Sequence, residues 1–170
     1  MDHQYFQPED DIPLTGGELI LAVTRIYSGS FGSTPDLARL NLLLFLIEGD
    51  GGIASNLMYG NTPYGPKSAY IEQFISDNHE LIRGRSYGKK SSGTKLDPDL
   101  RKKVELTPEG VKIADRIIGN LSSGDTRRIS QILSKWGREG HSEILIYLCL
   151  FHGDFCSGID SGEPSDNEKD

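Results

Sequence analysis

The stretch from Leu81 to Pro108 limits the possible folds of this chain more than any other. Apolar Leu81-Ile82 leads into Arg83-Gly-Arg-Ser-Tyr-Gly-Lys-Lys-Ser-Ser-Gly-Thr-Lys95, which is basic, rich in Gly and Ser, and without apolar periodicity. Such composition predicts a long loop. The chain returns through Leu100-Arg-Lys-Lys-Val-Glu-Leu106, whose end alternates charged and apolar residues, the period of a half-buried strand. Thr107 then supplies a hydroxyl for a helix N-cap, and Pro108 stands at the first helical position, where its missing N–H is harmless. Strand, basic loop, strand, helix is the order of a wing. With a short helix in front, it predicts a winged helix-turn-helix that is mainly α with a small β-hairpin and extra C-terminal helices.

The apolar pattern divides the rest. Residues 1–15 hold Pro8, Pro13 and three consecutive acids, and are expected to be a mobile arm. Gly17 to Ser28 places Leu19, Ile20, Val23 and Ile26 near one helical face, and Gly29 to Gly32 is expected to end that helix. Thr34-Pro35 reads as the start of a second helix, apolar on nearly every side from Leu37 to Ile47, with Arg39 and Asn41 as its exposed members. Residues 53–58 fit a short helix or a strand equally, and 60–66 are turn chemistry throughout. Ser68 reads as the N-cap of a helix over 69–77, in the place of a recognition helix, with Ile71, Phe74 and Ile75 facing inward. Helices are then expected from Thr107 to about Asn120, from Thr126 to about Gly137 with Asp125 as cap, and from Ser142 to about Phe151. The wing-bearing domain therefore spans 16–122, the C-terminal helices 123–156, and an acidic, disordered tail 157–170.

The last of these helices, with Ile144, Leu145, Ile146, Leu148, Cys149 and Leu150, is apolar nearly all round and needs cover on both sides. It is expected to lie deep in the domain or to pack on a second copy or another protein partner.

Charge is unevenly spread. The net charge is −7, but residues 1–11 hold four acids and no Lys or Arg, and residues 158–170 hold five acids and one Lys. Residues 83–103 hold eight basic groups against Asp97 and Asp99. That asymmetry suits phosphate contact, and equally a solvated basic loop. The expected duplex-DNA contacts are Lys67, Ser68, Tyr70 and Gln73 on the helix, and Arg83, Arg85, Tyr87, Lys89, Lys90 and Lys95 on the wing. Glu72 and Asp77 oppose phosphate and favour the competing class, a non-catalytic protein-interaction module.

No enzymatic constellation stands out. Gly88 to Lys95 lacks the Gly-Lys-Ser/Thr ending of a phosphate-binding loop. The four histidines show no ligand spacing, so no metal or cofactor is expected. Cys149 reads as a buried inert thiol and Trp136 as core. The longest apolar run, Leu42 to Ile47, is too short for a bilayer, and the N-terminal Met-Asp-His-Gln has no secretory pattern. A cytoplasmic protein is the expectation.

Two short motifs, Tyr64-Gly65-Pro66-Lys67-Ser68 and Leu106-Thr107-Pro108-Glu109-Gly110, sit in an element order that resembles a loose prokaryotic family of winged-helix proteins described as YwgA-like. The resemblance covers about residues 36–152. It implies the winged-helix fold and a regulatory or antitoxin-like role. The family often has an aromatic where this chain has Lys67, and the wing here is longer and more basic.

Overall fold

A helix that is apolar all round must be wrapped, and Leu37–Gly49 (α2) is wrapped. Ten of its residues are buried, including Leu40, Leu43, Leu44 and Ile47, and it forms the centre of the hydrophobic core. In the computed structural model, which describes residues 14–88 and 97–153, five further α-helices surround it. These are α1 (Gly16–Phe31), α3 (Ala69–Asp77), α4 (Pro108–Asn120), α5 (Ser123–Trp136) and α6 (His141–Phe151). Two antiparallel hairpins and a short 3-10 helix at Pro98–Arg101 complete the regular elements among the described residues. One hairpin joins β1 (Gly60–Thr62) to β2 (Gly65–Lys67), and the other joins β3 (Ile82–Ser86) to β4 (Lys102–Leu106). The protein is thus mainly helical, as expected, with two small β-hairpins where one was expected. No helix among the described residues is long and apolar enough to cross a membrane. The arm, except for its last residues Leu14 and Thr15, most of the wing loop and the acidic tail lie outside the described residues.

Several local expectations change. α1 begins in a capping box, with Thr15 accepting from the Glu18 amide and Glu18 reaching back to the Thr15 amide. It runs past Ser28 to Phe31 and ends only at Gly32, in the left-handed region at φ 66°. Thr34-Pro35 does not start α2. Pro35 and Asp36 are extended instead, and Asp36 bridges to Lys103 of β4 while the Pro35 carbonyl accepts from the Val104 amide. Asp36 takes over as cap, accepting from the Arg39 amide at 2.7 Å. The segment between the first two helices is therefore a third, minimal strand on the main hairpin.

Asn41 was expected at the surface, and it is 2 % exposed. Its amide donates to the Leu37 carbonyl at 3.0 Å, and its oxygen accepts from the Ser68 amide at 2.8 Å. A polar side chain is tolerated in this apolar helix because it satisfies the backbone entering α3. Residues 53–58 are neither helix nor strand. The Glu48 carboxylate holds them, accepting from the Ser55 amide and hydroxyl and from the Leu57 amide. Residues 60–66, expected as turn, pair into the β1–β2 hairpin about Gly65, whose φ of +101° suits glycine.

α5 is capped by Ser122, which leaves Asp125 three residues inside, paired with Arg128 at 3.4 Å. α6 buries only Ile144 and Leu148. Its end is tied to the end of α2 through Asp50, which accepts from the Tyr147 hydroxyl at 2.6 Å and pairs with His152 Nε2 at 2.8 Å. The hydrogen bond to Asp50 raises the Tyr147 pKa above the ordinary phenol value. Cys149 was expected to be a buried thiol. It lies on the exposed side of α6 and is disulfide-bonded. Trp136 is core, as expected.

Candidate nucleic-acid interface

The β3–β4 register sorts the hairpin's side chains. Ile82 faces Leu106 and Gly84 faces Val104, and Ile82 and Val104 are fully buried. The alternate positions lie on the opposite face, where Arg83 stands across from Glu105 and Arg85 across from Lys103. Three cations and one carboxylate thus share the outer face. Directly opposed like charges repel, and the repulsion between Arg85 and Lys103 is relieved sideways. Arg85 Nε reaches Glu105 at 2.7 Å, and Lys103 reaches toward Asp36 at 3.9 Å. Arg83 donates from Nε to the His79 carbonyl at 2.9 Å, which leaves the rest of its guanidinium exposed. Tyr87 extends the hairpin by donating its amide to the Arg101 carbonyl, and its ring is exposed.

Lys89, Lys90 and Lys95 lie outside the described residues. Among the described residues, Arg83 and Arg85 share the outer face of the hairpin, and the exposed Tyr87 follows two positions further along the chain.

The residues expected on and before α3 divide differently. Lys67 is drawn into an internal ion-pair cluster. Its ammonium bonds to Asp97 at 2.8 Å and Asp99 at 2.7 Å, and Asp97 is 3 % exposed. Burial alone would lower the Lys67 pKa, but the hydrogen bonds to Asp97 and Asp99 outweigh it and the pKa is raised. Ser68 is also drawn inward. It occupies the N-cap position but makes no side-chain cap, and its buried hydroxyl donates to the Leu57 carbonyl. The reason is shared. The β1–β2 hairpin folds the Tyr64–Ser68 segment inward against α2, and Pro66 is buried with Ser68.

Tyr70 and Gln73 remain at the surface. Tyr70 stacks on Phe74 with ring centroids 6.2 Å apart, and Gln73 donates to the Asp77 carboxylate at 2.8 Å. Glu72 stands 4.0 Å from Lys102, so α3 and the hairpin meet through opposite charges.

Lys103 is the outer-face cation that sequence reasoning left out of the site. Its alternation with Val104 was the available signal, since it fixes Lys103 opposite to the core. The second motif also gains a cause. Thr107 caps α4 by accepting from the Gly110 amide at 3.1 Å, and its own amide donates to the Leu81 carbonyl at 2.9 Å. This draws the Leu81 carbonyl against Gly110, where a Cβ would lie 1.8 Å from its oxygen.

No protein-family model matches the chain, and comparison with curated proteins gives no match.

Proposed function

We propose that the chain is a DNA-binding regulator with a winged-helix body, whose basic wing contacts duplex phosphates. The observation that carries the reading is the outer face of the hairpin, where Arg83, Arg85 and Lys103 share one side and lead into a lysine-bearing loop. Pro35-Asp36 supports the fold assignment, because a short strand after the first helix joins the wing hairpin in that architecture. In this reading α3 sits beside the wing and offers Tyr70 and Gln73 to the groove, while phosphates supply most of the affinity. Each phosphate neutralised releases counterions, so binding weakens steeply with salt.

The expected result is saturable binding to random duplex DNA at low salt. Replacing Arg83, Lys89, Lys90 and Lys95 together with alanine lowers the log–log salt slope by about 3 to 4, with affinity lost across all sequences and the melting temperature nearly unchanged. Fluorescence anisotropy at two or more salt concentrations measures both. Wild-type protein that binds no duplex at low salt ends this reading. The second reading, a protein-interaction module, then takes its place, and it is favoured by the two carboxylates, Glu72 and Asp77, on the exposed side of α3.

The regulator acts as a homodimer in this proposal, paired through α6. Ile146, Leu150 and Phe151 are 61 %, 72 % and 68 % exposed, and Ile146 and Leu150 are one helical turn apart. A two-fold axis would set the same apolar face of a second copy against them. Light scattering at tens of micromolar is expected to give the dimer mass for the wild type. Ile146→Glu with Leu150→Glu is expected to give the monomer mass with unchanged far-UV circular dichroism. A wild-type monomer under those conditions rules the homodimer out.

A further inference from the structure

α1, α3 and α4 do not close on one another at the side away from α2. They leave a cavity of about 770 Å³, edged by the start of α5. Small-molecule sites usually measure roughly 300–1,000 Å³ and combine apolar walls with a few polar groups. Here Leu21, Leu81, Ile113 and Ile117 supply aliphatic walls, and the stacked rings of Tyr70 and Phe74 form one side. Gly17 keeps that side in place, since a Cβ there would lie 2.4 Å from the Phe74 ring.

The charged groups around the cavity are not equivalent. Glu18 is engaged by the Thr15 amide at 2.8 Å and hydroxyl at 3.0 Å. Asp125 is engaged by Arg128 at 3.4 Å. Arg116 lines the same cavity and has no ion pair or side-chain hydrogen bond among the described residues. Glu18 keeps its charge but its carboxylate is held by Thr15, so Arg116 is the lining charged group whose side chain has no partner among the described residues, and a planar guanidinium fits a carboxylate with two parallel hydrogen bonds.

We propose that this cavity binds a small monocarboxylate with an aromatic body, its carboxylate paired with Arg116 and its ring against Phe74 and Ile117. The site rests on the cavity and on Arg116. Only its consequence for duplex binding rests on the DNA reading. That consequence follows from the walls, because Tyr70 and Phe74 belong to α3 and a bound ring changes how α3 seats on α1 and α4.

Titration calorimetry of the full chain with 3-phenylpropionate and indole-3-propionate, each beside its primary amide, tests the site without DNA. Saturable one-to-one binding of the acids is expected, with the amides weaker by about tenfold or more, the scale of one charge-assisted contact. Arg116→Gln should bring each acid down to its amide and leave the melting temperature unchanged, because Arg116 is exposed and has no side-chain partner among the described residues. Arg116→Lys should restore part of the difference. Amide resonances of α3 and α4 should shift on binding. Absence of saturable binding overturns the proposal, as does equal affinity for acid and amide, or shifts confined elsewhere. A nuclear Overhauser contact from Tyr5 or Phe6 to Phe74 in the ligand-free chain also overturns it, by making the chain's own first segment the occupant. A protein that binds the acids and no duplex supports the site and ends the DNA reading, whereas one that binds duplex and no acid does the reverse.

Discussion

Lys67→Met is expected to lower the unfolding free energy by about 3 kcal/mol, far beyond the effect of removing an ordinary surface lysine. The side chain it replaces bridges Asp97 and Asp99 at 2.8 and 2.7 Å. Asp97 is buried, and its Oδ1 also accepts from the Asp99 amide at 3.0 Å. Without the ammonium, Asp97 stays in the protein with no counter-charge, and an unpaired buried charge is the expensive outcome.

The double variant Lys67→Met with Asp97→Asn removes both charges, so it should be less destabilised than the sum of the two single variants. The pH dependence has a defined sign. The folded-state pKa of Lys67 is raised, so its contribution is whole at neutral pH. It is lost only as pH climbs past the ordinary lysine range and through the raised value. Urea denaturation at neutral pH measures the loss. A variant of near wild-type stability that instead loses duplex affinity would return Lys67 to the interface.

Gly110→Ala is expected to be at least as damaging, with a loss of about 3 kcal/mol or more and a melting temperature lower by roughly 10 °C. The added Cβ would meet the Leu81 backbone oxygen at 1.8 Å. That oxygen is not free to retreat, because it accepts from the Thr107 amide at 2.9 Å at the start of the helix. Any shift that admits the methyl group loosens the cap and the end of β4 together.

Gly119→Ala in the same helix is the matched control. Nothing lies within 4 Å of a Cβ at Gly119, so the change should raise stability by about 0.5 kcal/mol through helix propensity. Thermal melts of the two variants side by side separate the steric effect from the propensity effect. Equal and small changes would show that Leu81 and Gly110 are not in close contact.

These two residues also show how far the sequence reaches. Leu106-Thr-Pro-Glu-Gly110 announces a helix start by itself, because a hydroxyl before a first-turn proline satisfies free backbone amides locally. The need for glycine at 110 is not local. It comes from a carbonyl of a residue that precedes the whole β3–β4 hairpin. Lys67 presents the same division. Beside Ser68 at the start of an amphipathic helix, a lysine reads as a phosphate contact, and only the return of the chain through Asp97 and Asp99 makes it an internal cross-link.

Features that periodicity and capping express within one turn or one strand are legible in the residue order. The all-apolar α2, the inward stripe of α3, the alternation of β4 and the cap of α4 belong to that class. The charge excess of 83–103 was legible too, since composition needs no partner. Long-range packing settled the rest. It buried Asn41 against the Ser68 amide and turned Pro35-Asp36 from a helix start into a strand. It left half of α6 uncovered, and it opened a cavity beside Arg116. Apart from α6, the deciding neighbour is distant in sequence: Ser68 for Asn41, Lys103 for Asp36, and Glu18 and Phe74 around Arg116. A residue's type states which bonds it can make, and the fold determines which groups come within reach to make them.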